Sequence, residues 1–594
     1  MDTIEKIFNL AIKNHQEDKT DIALELYNQI LKINPNHSQT LNNIAVIFTN
    51  LKDYQKAISS YEKAIEINPN FADAHYNLGV IFMKLRDYQK AISCYEKVIE
   101  SNPNYAKAYY NQGNTYSELG DYQKALGCYD KAIKINPNYS VTYNNLGNIF
   151  QKLGDLQKAK DCYEKAIKIN PNYVDAYYNL GVISKELGED QKAKSCYEKA
   201  IEINPNFTHA HNNLGNVFKD SGNPQKAISC YEKAIEINPN YVDAHNNLGV
   251  ISKELGEDQK AKSCYEKAIE INPNFTHAHN NLGNVFKDSG NPQKAISCYE
   301  KAIEIDPKHI DAHYNLGIAL IMTRQYKNAT EHFKLINYKN SKSFLLQCLY
   351  KIEDKSIFFK ELDYLIKQGE NNPLIGSLIS RSEIRYKIKK LNPFCGDPLK
   401  YILITNLTEE YNFKNIFVEP IKSALKEDMF STKPQGLLEN GYQTAGNIFA
   451  KKNDFFDKIK DIIHLQIKKY QDLFKESNEG LIKNWPKSYD VYAWLVNMKT
   501  GGKLAPHIHE FGWLSGSIYI NVPPKLEADS GNLVVCINDQ VSESENKINP
   551  KKTIDVVTGS LCLFPSSLYH YTIPFESKEE RIVLAFDAKP NYLK

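Results

Sequence analysis

The 594-residue chain has no excess of charge of either sign: 73 Lys and Arg stand against 71 Asp and Glu, a formal net charge of +2. So weak a field gives no general attraction for nucleic acid or an anionic membrane surface, which argues against either as the main partner. Long apolar runs are also missing, and no stretch approaches the roughly 18 residues that would cross a bilayer. The opening MDTIEKIFNLAIKNHQEDK has neither a basic start nor a long apolar core, so no secretory leader is expected. Cysteine is not scarce, but it is not arranged to build disulfides. Cys94, Cys128, Cys162, Cys196, Cys230, Cys264 and Cys298 recur every 34 residues. A regular stack holds such equivalents further apart than the roughly 7 Å that a bridge allows between Cα atoms. They read as small buried apolar residues, and the expectation is a cytoplasmic protein.

What is present is a ruler. Pro35, Pro69, Pro103, Pro137, Pro171, Pro205, Pro239, Pro273 and Pro307 stand 34 residues apart, the signature of a solenoid. In the unit 72–105, Leu78, Gly79 and Phe82 share one stripe of a first helix, and Ala91, Tyr95 and Val98 one stripe of a second. Asp87 between them is a turn residue and N-cap candidate, and Pro103 opens the next corner, so each unit is a helical hairpin. These offsets of Leu-Gly, aromatic, Ala, aromatic, Ala and Pro resemble the tetratricopeptide repeat. The resemblance covers residues 4–343 as ten units, with atypical first and last members of the kind that cap a solenoid. Residues 181–237 and 249–305 are identical, a block copied within the chain.

The sixth position of each first helix is Asn, giving Asn77, Asn111, Asn145, Asn179, Asn213, Asn247, Asn281 and Asn315 among others. The resemblance implies that this helix lines a concave groove, where such amides can bond an extended peptide backbone; the alternative is that they bond to neighbouring repeats. A protein or peptide is therefore the expected partner. Lys185, Lys219, Lys253 and Lys287 form a shorter row, readable as a preference for acidic ligands or as a solvated face. His209-Ala210-His211 and His277-Ala278-His279 are not metal sites, because residues two apart on a helix point about 200° apart.

Residues 344–399 read as capping helices and a linker, broken at Asn392-Pro393-Phe394-Cys395-Gly396-Asp397-Pro398, and a second architecture occupies 400–594. Helical signal persists over 412–427 and 452–475; from 489 the apolar period becomes two, with strands expected at 489–498, 515–522, 531–537, 552–557, 560–564, 568–574 and 581–587. Short strands in this density argue for an antiparallel barrel or jelly roll, flanked by helices. Asp529, Asp539 and the charged run 543–552 read as solvated loops. In an extended segment residues i and i+2 share a face, so His507 and His509 can reach one point. The one histidine downstream, His570, completes a three-ligand set that leaves adjacent positions of an octahedral ion open, which favours nonheme iron. Arg581 follows on the next strand, with a planar fork suited to a carboxylate.

In order, His507-Ile508-His509, Leu514-Ser515-Gly516, Gly531-Asn532-Leu533, Leu563-Phe564-Pro565-Ser566, His570 and Arg581 resemble a group of Fe(II) and 2-oxoglutarate dependent oxygenases, over about 485–590. The resemblance implies a double-stranded β-helix in which His507, His509 and His570 bind Fe(II) and Arg581 binds the distal carboxylate of 2-oxoglutarate. Two positions depart from the wider superfamily. His509 fills a slot usually held by Asp or Glu, leaving the site one unit more positive; Glu510 points to the other face of a regular strand. Val583 replaces a small hydroxyl residue, so a cosubstrate hydrogen bond is expected from Tyr519 or Tyr492 instead.

The implied activity is hydroxylation of a substrate C–H coupled to decarboxylation of 2-oxoglutarate to succinate, on a protein or peptide recruited by the solenoid. Two alternatives stand beside it. One is a non-catalytic scaffold with a degenerate barrel. The other is a three-histidine cupin dioxygenase, suggested by Gly501, Gly559, Pro565 and His570 but lacking the glutamate that motif expects. The solenoid also looks like the binding arm of O-linked N-acetylglucosamine transferases, yet nothing after 400 resembles their catalytic region.

Overall fold

The computed structural model describes residues 2–427, 429–430, 432–433, 436–450, 453–538 and 550–591. Asp539 and residues 543–549 of the charged run lie outside these. The chain divides into two compact units, Met1–Pro239 and Asn240–Lys594.

The first unit is a run of antiparallel helix pairs, from Asp2–Gln16 to Pro224–Ile237. One pair shows why the repeat folds. Ala72–Lys84 and Tyr88–Ser101 meet where Gly79 lies against the ring of Tyr95; a Cβ there would come within 2.7 Å of Cε1, so only glycine lets the helices approach. Ala91, Tyr95 and Val98 are buried as expected, and Asp87 Oδ1 accepts from Lys90 N at 3.3 Å, capping the second helix. The cysteines are free, and those of the repeats are buried or half-buried.

The second unit begins with three more helix pairs, Val242–Glu254 to Tyr326–Leu335, followed by the helices Ser341–Lys351, Lys355–Lys367 and Pro373–Tyr386. The last repeat shares one apolar core with these three, built on Phe333, Phe344, Leu362 and Leu378. Among the described residues no helix is long and apolar enough to cross a membrane.

Beyond them stands an antiparallel β-domain. Its strands are β1 (Leu403–Asn406), β2 (Thr432–Lys433), β3 (Leu438–Thr444), β4 (Tyr489–His507), β5 (Leu514–Asn521), β6 (Leu533–Cys536), β7 (Lys551–Ile554), β8 (Ser560–Pro565), β9 (Tyr569–Thr572) and β10 (Arg581–Pro590). They are ordered β1-β8-β5-β10-β4-β9-β6-β7, with β3 also on β4 and β2 on β3. The expected strands are present, but β4 runs on from 498 to His507. Besides β3, it pairs with β10 over Tyr489 to Met498 and with β9 at Leu504 and His507. Gly501, at φ 71°, makes the change of direction possible. The short β1 and the polar edge pair β2 and β3 carry too few apolar residues to announce themselves in the sequence. The helix expected at 452–475 is Asp454–Leu473.

Strand alternation sorts the side chains into two sets. Val491, Ala493 and Leu495 of β4, Ile518 of β5, Leu561 and Leu563 of β8, and Ile582, Leu584 and Phe586 of β10 pack with the helix Asp454–Leu473. The intervening residues, including Val496, Met498, Tyr519, Cys562, Phe564, Val583 and Ala585, form a separate interior cluster. That second face holds the chemistry.

Candidate metal centre

His507 closes β4 and His570 lies opposite it on β9 as its direct antiparallel partner. His509 lies two residues beyond the end of β4, outside any strand, where the chain turns toward Gly512. The strict strand geometry expected for 507–509 therefore holds only for the first ligand, yet the rings converge. Potential ligand atoms of His507, His509 and His570 all lie within 4.8 Å of one another, and the ring centroids of His507 and His570 are 4.2 Å apart. Trp494 and Phe564 pack against His509 and His570 at 5.3 and 4.9 Å.

The hydrogen bonds fix which nitrogens face inward. Nδ1 of His507 lies 2.9 Å from the Ala505 carbonyl oxygen, and Nδ1 of His509 lies 2.5 Å from Asp587 Oδ1. Both partners can only accept, so both Nδ1 atoms donate, and each Nε2 is left with its lone pair. These two Nε2 atoms are 3.3 Å apart. Lone pairs so placed call for an electron-poor atom between them, a proton or a metal ion. A proton is disfavoured: burial, then the neighbouring His509, pulls His507 down from 6.5 to about 4, and burial with both neighbours holds His570 well below its usual range. Nδ1 of His570 is buried with no hydrogen-bond partner among the described residues. A neutral, three-imidazole donor set fits a divalent transition metal.

Arg581, at the start of β10, lines the same cavity with Val496, Met498, Leu533, Thr572, Val583 and Tyr519. It is 1% exposed, and its Nε and Nη2 have no hydrogen-bond partner among the described residues. Its guanidinium lies 5.1 Å from the centre of the Tyr519 ring, and Nη1 is 3.9 Å from Met498 Sδ. The adjacent Glu580 accepts from Asn497 Nδ2 at 2.8 Å. A buried cation without an anion is costly unless a ligand supplies one, and the planar fork suits a carboxylate. The residues thus fit both Fe(II) and a dicarboxylic cosubstrate.

The comparisons with known proteins agree with this geometry. Residues 492–587 match the family described as “Putative 2OG-Fe(II) oxygenase”, and tetratricopeptide repeat families match between residues 26 and 331. The chain is a tetratricopeptide-repeat protein with a C-terminal 2OG-Fe(II) oxygenase domain. Among solved structures it is similar to YrrB, described as a TPR protein with an unusual peptide-binding site, at 27% identity over 31% of this chain and 96% of that one, with TM-score 0.27. A MamA structure is similar at 30% identity over 27% and 93%, with TM-score 0.26. A thermophilic TPR protein of Thermus thermophilus, TTC0263, is similar at 23% identity over 31% and 99%, with TM-score 0.27. No curated protein matches the chain.

Of the two tyrosines expected to reach a cosubstrate, Tyr519 lies beside Arg581 in the cavity, whereas Tyr492 is not among the residues that line it. It lies one pleat outward from Trp494 along β4, with Lys589 Nζ 3.9 Å from its ring centre. Val583 does face the cavity, and the hydroxyls around it come from Ser517, Tyr519 and Thr572. Glu510 turns away from the histidines and accepts from Gln347 Nε2 at 2.8 Å, while Phe511 packs on Phe344 at 5.7 Å. Ile508 packs against the core of the capping helices, so Ile508, Glu510 and Phe511 address the cap while His507 and His509 address the metal site.

Sequence reasoning missed Asp587. Nothing but its place six residues after Arg581, on the same face of β10, marks it. Burial works to raise its carboxyl, but the neighbouring His509 outweighs that, with help from Lys589 and Ser515, and holds it below the usual range. The Leu-Ser-Gly and Phe-Pro-Ser signatures then gain a physical reason. Ser515 Oγ donates to Asp587 Oδ1 at 2.8 Å and lies 2.7 Å from Ser566 Oγ. Gly516 admits the Phe586 ring, which a Cβ would meet at 2.2 Å.

In the repeats the asparagine row is largely occupied. Nδ2 of Asn111 donates to Tyr76 Oη at 3.0 Å, Asn145 to Tyr110 Oη at 3.1 Å, Asn179 to Asn144 Oδ1 at 3.0 Å and Asn213 to Tyr178 Oη at 3.3 Å. In the second unit Asn281 and Asn315 bond Asn246 and Asn280, each at 3.0 Å. Asn77 bonds the Tyr61 hydroxyl, and Asn247 is also engaged. One amide N–H of most of these residues links a repeat to the one before. Lys185 is held between Asp190 and Asp220, and Lys253 between Asp258 and Asp288, which neutralises half of the lysine row. His211 and His279 bond the carbonyls of Pro205 and Pro273, each at 2.9 Å.

Proposed function

We propose that the oxygenase domain is an active Fe(II) and 2-oxoglutarate dependent hydroxylase, with His507, His509 and His570 as the metal ligands and Arg581 as the anchor for the distal carboxylate of the cosubstrate. The observation that carries this reading is the coexistence, in one cavity, of three converging imidazoles and a buried guanidinium whose Nε and Nη2 have no hydrogen-bond partner among the described residues. Fe(II) with 2-oxoglutarate supplies oxidative decarboxylation to succinate coupled to oxidation of a substrate C–H. The chain's own residues do the rest. Ala505 and Asp587 hold the rings of His507 and His509 in the ligating tautomer, and Arg581 with Tyr519 orients the cosubstrate. Trp494, Leu533, Val583 and Phe564 keep the cavity apolar and exclude water.

The solenoid then recruits the substrate, a protein or peptide, using the groove amides left over from inter-repeat bonding. A cytoplasmic setting follows from the unpaired cysteines. A three-histidine cupin reading gives Arg581 no task, and the scaffold reading leaves its buried charge unexplained. Protein purified without oxygen, analysed for metal and assayed for succinate, tests the proposal. One Fe(II) per chain and turnover of 2-oxoglutarate are expected, both lost in His507→Ala and His570→Ala; wild-type protein that binds no iron and makes no succinate belongs to the scaffold class.

A further inference from the structure

We propose that Asp587 is a positioning residue of the metal centre: through His509 it supplies the negative charge that a ligating carboxylate would otherwise bring. The inference rests on the reading of the three histidines as metal ligands. It starts from the departure at position 509, where an imidazole stands in the usual carboxylate slot. Three neutral imidazoles leave the full double charge of a divalent ion uncompensated by its ligands. The structure places one carboxylate against that ligand set, and it is 4% exposed. Its Oδ1 accepts from Nδ1 of His509 at 2.5 Å, the nitrogen opposite the converging face.

The contact is built rather than incidental. Oδ1 also accepts from Ser515 Oγ at 2.8 Å, and Ser515 is in turn held at 2.7 Å by Ser566, in the turn just after β8, so β5, β10 and that turn together fix one oxygen. Gly512 completes the cradle: a Cβ there would lie 2.7 Å from Ser566 Oγ and 3.1 Å from Asp587 Cγ. A carboxylate hydrogen-bonded to a ligating imidazole makes that ring more basic and fixes its orientation. Loss of such a partner ordinarily weakens metal binding about 10- to 100-fold. His507, by contrast, donates to the neutral carbonyl of Ala505, so the charge enters through His509.

Titration of the full-length apo protein with Co(II), without cosubstrate, separates this role from a structural one. Asp587→Asn keeps the volume and removes the charge; it is expected to bind Co(II) about 10- to 100-fold more weakly than wild type, with apo melting temperature unchanged. Ser515→Ala is expected to weaken binding in the same direction by less. Co(II) affinity in Asp587→Asn within about threefold of wild type overturns the inference and leaves the ligand assignment standing, whereas wild-type protein that takes up no Co(II) overturns both. Should the variant not fold, nitrogen-15 spectra of histidine-labelled wild-type apo protein decide: His509 protonated at Nδ1 is expected, and protonation at Nε2 alone contradicts it.

Discussion

The repeats and the β-domain treat buried polarity in opposite ways. In the repeats, amides and tyrosine hydroxyls find partners one unit back along the stack, and the buried atoms left without one are neutral, such as Tyr95 Oη, Thr142 Oγ1 and Ser184 Oγ. In the cavity of the β-domain the atoms without a hydrogen-bond partner among the described residues are a ring nitrogen of His570 and two nitrogens of a guanidinium. A polar group satisfied by its neighbours specifies a fold; an orphaned ionisable group, held in place at a cost, specifies a ligand.

Four experiments press on that difference. The largest effect is expected for Arg581→Met, which is predicted to cut 2-oxoglutarate turnover by more than about 100-fold while leaving the chain as stable as wild type or more so, since an uncompensated buried charge is replaced by packing. Stability and turnover falling together would mean that Arg581 is structural. In the repeats, Gly283→Ala drives a Cβ to 2.5 Å from the Tyr299 ring and is predicted to cost about 1–3 kcal/mol in a denaturant melt. Succinate formation measured well below the melting temperature should be unaffected. Acid provides the third. His507 titrates near 4 in the fold against an ordinary 6.5, so between these values the unfolded chain binds the additional proton. Stability of the apo protein should fall as pH drops from about 6.5 to about 4, and His507→Gln should flatten that slope. The smallest effect is expected for Asn145→Ala, about 1 kcal/mol for lost links to Tyr110 and Asn114, with no change in cosubstrate turnover.

The helical architecture was legible because each unit repeats its own packing rule, and the contact of Gly79 with Tyr95 is that rule in a single pair. The three histidines were legible as well, since spacing and chain order limited the choices. Asp587 was not, because a lone acidic residue in RIVLAFDA carries no periodic or spacing signal; only the pairing of β10 with β4 and β5 brings it under His509. The extension of β4 through Gly501 and Gly502 was hidden by residues that ordinarily end strands. Tyr492 was misplaced for a different reason. It shares the inward parity of Trp494 and Val496, but parity gives the face and not the depth along a strand.

The proposed activity depends most directly on the pairing of Arg581 with the carboxylate of a cosubstrate. Calorimetric titration of 2-oxoglutarate into anaerobic Fe(II)-loaded protein, wild type beside Arg581→Met, measures it. Binding to wild type at one site per chain, weakened at least about 100-fold in the variant while Fe(II) content is unchanged, is the predicted result. Equal affinity in the two proteins would contradict it.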